Sequence, residues 1–125
     1  MLKNDGNTVV EEIIASVREF IRDRDWEQFH NLKNLAESIC IEAAELLQLF
    51  QWTSSEETAK FKTAPDRVAR IKEELADVII YCLSMANATK IDVTRSVMKK
   101  LESNKKKYPA SQYKGKAPCA RGKLT

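Results

Sequence analysis

The helical spacing of apolar residues, over long stretches without Gly or Pro, most constrains the fold of this chain. Its 125 residues include only three Gly and three Pro. Apolar side chains recur every three or four positions over residues 8–24, 31–51, 65–89 and 93–104, which is the period of an amphipathic α-helix. We therefore predict an all-α fold, a helical bundle of three long helices plus a fourth, with short connections that favour antiparallel packing.

Capping residues fix the expected ends of these helices. Thr8, with Glu11 three residues later, has the spacing of a capping box at the start of the first helix. Pro65 is suited to the first turn of the third helix, and Asp92 to capping the fourth, which should end near Pro109. Residues 22–30 are predicted to form a loop or a short helical turn, and the hydroxyl-rich segment 52–57 to cap a short helix.

Charge is distributed unevenly along the chain. The net charge is +3, yet residues 1–98 carry −5 and residues 99–125 carry +8. We predict one compact domain over residues 1–109 and a loose basic tail over 110–125. Such a tail can bind nucleic acid, contact a triphosphate or remain solvated.

Neither the first residues of the sequence nor its cysteines indicate an oxidising or membrane environment. Residues 1–6 lack the apolar run of a signal peptide, and no segment has the roughly 18 uncharged apolar residues of a membrane span. The three cysteines show no C-x-x-C spacing, so neither a disulfide framework nor a thiolate zinc site is indicated. We expect a cytoplasmic protein, with Cys40 and Cys82 as small core residues.

Two acidic pairs are the strongest indication of function. Glu42 and Glu45 lie three residues apart on the second predicted helix, as do Glu74 and Asp77 on the third, so each pair shares a helix face. Surface acids on helices often have a cation four residues ahead. Here those positions are Leu46, Leu49, Val78 and Tyr81.

The simplest interpretation of these acids is ordinary surface charge, but the absence of cations argues against it. No Lys or Arg occurs between Lys33 and Lys60, so the second helix cannot neutralise its own pair. Four clustered carboxylates are costly unless they share a cation. An all-oxygen ligand set suits Mg²⁺, with Mn²⁺ as the alternative. A di-iron site would need two Glu-x-x-His pairs, and His30 is the sole histidine.

The acidic pairs and their flanks resemble a known family. The order Glu42-x-x-Glu45, a gap of 28 residues and Glu74-x-x-Asp77 resembles the signature of MazG-type all-α nucleoside triphosphate pyrophosphohydrolases. The flanking segments are similar to the compact branch that contains the dCTP pyrophosphatases: residues 24–30, 33–35, 50–52, 73–81 and 104–109. Ile41 stands where many MazG proteins carry a further glutamate, which leaves the number of metal ions open.

The resemblance implies Mg²⁺-dependent cleavage between the α and β phosphates, which yields a nucleoside monophosphate and pyrophosphate. It implies that Glu42, Glu45, Glu74 and Asp77 form the catalytic metal site and that the protein is a homo-oligomer, a dimer or a tetramer. Deoxynucleotides such as dCTP are the first candidate substrates, in a house-cleaning role. The predicted substrate-binding residues are Trp26, His30, Trp52, Tyr81, Asn104 and Lys107.

Three of these residues also have a purely structural interpretation: His30 as a loop histidine without a specific role, Trp52 as a core aromatic and Lys107 as a solvated charge. Trp26, His30 and Trp52 are suited to stacking on a base, although an aromatic at a helix end is more often a core residue. Tyr81, four residues after Asp77, can face a deoxyribose. For Asn104 the resemblance suggests a contact to the base or sugar, and for Lys107 a contact to phosphate.

Two other functions remain open from the sequence. The basic tail fits a helical nucleic-acid-binding module, whose binding would be salt-sensitive, but clustered carboxylates would repel phosphate, so nucleic acid is not the expected partner. A regulatory NTP-binding protein without turnover is the second alternative.

Overall fold

A computed structural model describes residues 1–118 of the chain, and it contains helices and turns but no strand within that range. The all-α prediction is therefore confirmed. The chain divides into two compact units, residues 1–91 and the part that begins at Asp92. The helices are α1 (Val10–Asp23), α2 (Leu32–Gln48), α3 (Ser55–Ala59), α4 (Pro65–Thr89), α5 (Val93–Lys107) and α6 (Ala110–Tyr113), with 3₁₀ turns at Glu27–Phe29 and Lys60–Thr63.

Side-chain caps mark the starts of three of the six α-helices in the described residues. The Asn31 side chain accepts a hydrogen bond from the Asn34 amide at the start of α2, 2.8 Å long. Ser54 and Glu57 form a complete capping box at α3. Asp92 caps α5 through the Arg95 amide, and Pro65 occupies the first turn of α4. The three side-chain caps satisfy backbone N–H groups that have no partner within the helix, whereas Pro65 has no backbone N–H to satisfy.

The predicted cap at Thr8 is wrong. The α1 helix begins one residue later than the capping box requires, and Val9, at its N-cap, makes no side-chain cap. The Thr8 hydroxyl instead donates to the Asn7 side-chain oxygen, 2.8 Å away. A neighbouring polar side chain thus competes successfully for the hydroxyl.

The first unit is built around α4. Both α1 and α2 pack against this helix, and Asn87 of α4 links to α1 by donating to the Ile14 carbonyl and accepting from Arg18. Leu35 of α2 is the most deeply buried large side chain, at 1% exposure. The buried apolar side chains of the described residues are Val17, Ile21, Leu35, Leu83 and Ala86.

Many large apolar side chains remain exposed on the same helices. Leu47 is 70% exposed and Ile41 57%, and Ile79 and Ile80 of α4 are also exposed. The core of the first unit is therefore narrow, and much of the apolar surface of α2 and α4 is not covered within the described residues.

The prediction that Cys40 and Cys82 are core residues is wrong, because both are exposed. Cys40 follows Leu35 by five residues, which rotates it about 140° around the helix axis. Cys82 lies about 100° from the buried Leu83. Both thiols therefore fall outside the narrow buried stripe, although their neighbours in the sequence are apolar.

The second unit contains α5 and the short α6. The predicted loose tail is wrong for residues 110–113, which are helical: Pro109 ends the preceding segment, and its carbonyl accepts from the Tyr113 amide. The Tyr108 and Tyr113 rings pack edge to face, 5.2 Å apart. The rest of the predicted tail from residue 119, including Cys119, lies outside the described residues, and the division into 1–109 and 110–125 stays a prediction.

A membrane-spanning helix is not found within the described residues, because none of their helices is both long and apolar enough.

Candidate active site

Three carboxylates meet where α2 packs against α4. One oxygen from each of Glu42, Glu45 and Glu74 lies within 4.8 Å of the others. The pair on α2 is brought to one face by its three-residue spacing, and α4 supplies the third group. Glu42 and Glu74 are half-buried and Glu45 is exposed, so the cluster lies at the edge of the helix interface.

The fourth predicted acid, Asp77, lies close enough to contribute charge but is not part of this closest group. It is exposed and stands almost one turn beyond Glu74 on α4. The structure thus brings three of the four predicted acids together, and the assignment of Asp77 to a metal site stays a prediction.

Crowding raises the pKa of two carboxyl groups in the cluster. Loss of hydration raises the pKa of Glu42, and the close approach of Glu45 and the charges of Asp77 and Glu74 raise it further. The pKa of Glu74 is raised first by loss of hydration and then by Glu45 and Asp77. The negative charges are therefore held together at a free-energy cost in the absence of a cation.

The cluster has the features expected of a divalent metal site. One carboxylate oxygen of Glu74, Oε2, is buried and has no hydrogen-bond partner, which is unusual for a polar atom in a native fold. Within residues 1–118, no Lys or Arg nitrogen lies within 4.0 Å of any of the four acids. Three carboxylate oxygens at this spacing fit a hard cation such as Mg²⁺ or Mn²⁺.

A cleft of about 360 Å³ adjoins the acidic cluster. It shares Glu45 and Glu74 with the cluster and continues toward the end of α2 and the start of α4. Its other lining residues are Gln48, Leu49, Gln51 and Arg70. The sequence alone predicts no role for these four residues, although Gln48 follows Glu45 by three positions and Arg70 precedes Glu74 by four.

Three predicted substrate-binding residues lie near the start of α2. Trp26 and His30 precede this helix in the chain, and Tyr81 belongs to α4. The rings of His30 and Tyr81 are 6.4 Å apart, and both residues are half-buried. Trp26 packs edge to face on Phe20 with ring centres 5.7 Å apart and remains 43% exposed. His30 and Tyr81 thus form an aromatic pair beyond Asp77, at the opposite end of the acidic cluster from Arg70.

Trp52 lies at the other end of α2 from His30. It is 93% exposed and adopts a left-handed backbone with φ of 67°, a conformation that is uncommon for a bulky residue. The 17 residues of α2 extend about 25 Å and separate the two side chains. Trp52 and His30 of one chain therefore do not line a single base pocket.

Asn104 and Lys107 belong to α5 in the second unit. Asn104 is half-buried, and its carbonyl accepts from the Tyr108 amide. Lys107 Nζ lies 5.2 Å from the centre of the Tyr108 ring. Their roles in substrate binding stay predictions.

The fold and the site define a class of protein: an all-α chain in which two packed helices present a cluster of carboxylates beside a polar cleft. A family model described as the MazG-like family matches residues 37–117. The chain belongs to this family.

Several characterised proteins are similar to the chain. Rat dCTP pyrophosphatase 1 is 38% identical over 108 residues, which cover 86% of this chain and 64% of the rat protein. Human dCTP pyrophosphatase 1 is 38% identical over 101 residues, covering 81% and 59%. The chain thus spans less than two thirds of the length of these relatives. The solved structure of a pyrophosphatase from Archaeoglobus fulgidus matches with a TM-score of 0.73 and 39% identity, covering 87% of this chain and 99% of that one.

Proposed function

We propose that this protein is a Mg²⁺-dependent nucleoside triphosphate pyrophosphatase that cleaves between the α and β phosphates, releasing a nucleoside monophosphate and pyrophosphate. The observation that carries the proposal is the acidic cluster, in which a buried Glu74 oxygen has no hydrogen-bond partner and no Lys or Arg nitrogen of residues 1–118 lies within 4.0 Å of a carboxylate oxygen. Membership of the MazG-like family and similarity to the rat and human dCTP pyrophosphatases support it.

In this proposal Glu42, Glu45 and Glu74 hold the metal ion, and Asp77 adds a fourth carboxylate. Bound Mg²⁺ would neutralise phosphate charge and lower the pKa of water in the site. The helix spacing fixes the positions of the carboxylates relative to one another, and either Glu42 or Glu45 accepts the proton of the attacking water. The packing of α2 against α4 holds the carboxylates of the two helices next to one another.

The proposed substrates are deoxynucleoside triphosphates, with dCTP the first candidate because the curated relatives are dCTP pyrophosphatases. The aromatic pair of His30 and Tyr81 is suited to contact a base and a sugar without a 2′-hydroxyl. Clearance of surplus or non-standard dNTPs is the role that fits such an activity. The cytoplasmic location predicted from the sequence stays a prediction.

We further propose a homo-oligomer, either a dimer or a tetramer. The exposed apolar side chains of α2 and α4, Leu47 and Ile41 among them, need a partner surface. The separation of Trp52 from His30 also favours assembly, because a Trp52 that contacts the same base as His30 would have to come from a second copy.

The test is pyrophosphate release from each of the four dNTPs, with Mg²⁺ and with EDTA. We expect Mg²⁺-dependent release of pyrophosphate and a loss of activity of at least ~100-fold in Glu45→Gln. Mutation of residues that only hydrogen-bond to metal ligands already costs roughly 10- to 100-fold in metal affinity or activity. Glu37→Gln is the matched control, since Glu37 lies on the same helix and pairs with Lys33 away from the cluster. Failure of the folded oligomer to release pyrophosphate from any dNTP refutes the proposal.

A further inference from the structure

The cleft beside the acidic cluster combines an anionic end with groups that bind anions. Glu45 and Glu74 form the part shared with the cluster, and the remaining polar lining is Gln48, Gln51 and Arg70. A guanidinium carries five N–H donors, and each Gln amide adds two. This part of the cleft is therefore suited to oxygen acceptors that carry negative charge.

Arg70 is not neutralised by its acidic neighbours. It precedes Glu74 by one helical turn, a spacing that often yields an ion pair, yet none of its nitrogens lies within 4.0 Å of a carboxylate oxygen in residues 1–118. Within the same range no hydrogen bond engages its side chain, whereas Arg24 donates to the Phe20 carbonyl. Arg70 thus lines the cleft, and its guanidinium donors are available to a ligand.

The α4 helix places the functional groups in a fixed order. Arg70, Glu74, Asp77 and Tyr81 are spaced by four, three and four residues, so they follow one face of the helix over about 16 Å. His30 pairs with Tyr81 at one end, the carboxylates lie in the middle, and Arg70 lies at the other end with Gln48 and Gln51. This order matches the parts of a nucleotide: base and sugar, metal-bound phosphate, and terminal phosphates.

We infer that Arg70 binds the β and γ phosphates of the substrate, the part that leaves as pyrophosphate, with Gln48 and Gln51 as further donors. This inference rests on the proposed function and adds to it a direction of binding. The planar guanidinium donates two parallel hydrogen bonds to phosphate oxygens. The nearby carboxylates repel a free polyphosphate, so binding at Arg70 depends on the divalent ion that neutralises them.

The experiment measures binding by titration calorimetry in Mg²⁺ with three probes: a dCTP analogue with an imido group between the α and β phosphates, dCMP, and inorganic pyrophosphate. The variants are Arg70→Gln, Arg70→Lys and the control Arg67→Gln. Arg67 lies on the same helix one turn earlier, over the Phe61 ring at 4.7 Å, and does not line the cleft.

We expect Arg70→Gln to lower the affinity for the analogue and for pyrophosphate roughly 10- to 100-fold, which is the range that hydrogen bonds to charged groups contribute. The affinity for dCMP should change by less than about twofold. Arg70→Lys should retain part of the affinity, because lysine keeps the charge but loses the two parallel hydrogen bonds. Arg67→Gln should bind all three probes like the wild type.

Several results overturn the inference. These are unchanged affinity of Arg70→Gln for the analogue, an equal loss for all three probes, or no Mg²⁺-dependent binding of pyrophosphate by the wild type. Tighter Mg²⁺ binding in Arg70→Gln, with the preference for the analogue over dCMP unchanged, also overturns it, because Arg70 would then only offset the charge of the acids.

The inference and the proposed function can fail separately. If the wild type releases no pyrophosphate from any dNTP but binds pyrophosphate through Arg70, the function fails and the phosphate site remains. If the wild type turns over dNTPs and the binding of Arg70→Gln is unchanged, the function holds and the role of Arg70 is refuted.

Discussion

Replacement of Glu42 by Gln should make the metal-free protein more stable. The substitution keeps the size of the side chain and removes one negative charge from the cluster, in which the carboxylate oxygens lie within 4.8 Å of one another. At 4.8 Å two like charges repel by roughly 0.9 kcal/mol in a water-like dielectric and roughly 3.5 kcal/mol at an effective dielectric of 20. The cluster is partly exposed, so solvent screening places the Glu42–Glu45 repulsion near the lower value, about 1 kcal/mol.

Thermal unfolding in EDTA measures this gain. For a chain of this length, about 1 kcal/mol corresponds to a rise in Tm of about 4 °C. Saturating Mg²⁺ should reverse the order, because a ligand that binds only the folded state stabilises it by an amount that grows with the logarithm of its affinity, and the variant has lost a proposed metal ligand. The wild type should therefore gain more from Mg²⁺ than Glu42→Gln does.

The control is Glu37→Gln on the same helix. Glu37 forms an ion pair with Lys33 at 3.4 Å, so its removal relieves no repulsion and should leave Tm in EDTA unchanged or slightly lower. A lower Tm for Glu42→Gln in EDTA, or an equal gain from Mg²⁺ in variant and wild type, would refute the argument that the carboxylates are held for a shared cation.

Two further predictions concern stability. The pKa values of Glu42 and Glu74 are raised above 4.5 in the folded state, so just above that pH the folded protein binds more protons than the unfolded chain does. The stability of the metal-free protein should therefore decrease as the pH rises through the raised pKa values. A Tm series in EDTA checks this: Glu42→Gln should have a shallower slope, and a slope equal to that of the wild type would contradict the assignment. Leu35→Ala should destabilise the protein by about 3 kcal/mol, because it empties the most deeply buried large side-chain position. Urea unfolding measures the loss against exposed Leu47→Ala, and equal small losses in the two variants would show that Leu35 is not central to the core.

Local sequence signals predicted most of the helical architecture. The period of the apolar residues predicts α1, α2, α4 and α5, because a helix that packs on one side carries an apolar residue every three or four positions. The hydroxyl-rich segment 52–57, Pro65 and Asp92 indicate helix starts, because capping depends on atoms only a few residues away. Thr8 misled because the Asn7 side chain next to it competes for the same hydroxyl.

Features that depend on the packing of distant segments could not be predicted in this way. Cys40 and Cys82 have apolar neighbours, but only the position of the partner helix decides which part of an apolar face is buried. The matching spacing of the acidic pairs predicts that Glu74 lies close to Glu42 and Glu45. The cleft that places Arg70 beside these acids depends on the relative position of α2 and α4, which the sequence does not give. The distance between Trp52 and His30 likewise follows from the direction of α2.

The α4 helix carries Arg70, Glu74, Asp77 and Tyr81 on 25 residues without a break, and this limits how such a sequence can change in length. One residue inserted between Arg70 and Tyr81 would turn every later side chain by about 100° and displace it by about 1.5 Å along the axis, so His30 would face a different residue. Insertions in the irregular part of the connection between α2 and α4, outside the cleft-lining residues Leu49 and Gln51, leave the order on α4 intact, because loop length has only a small entropic cost. The connections of this protein can therefore change in length during evolution. Within α4, a substitution leaves the other side chains in place, whereas an added or missing residue shifts every later one.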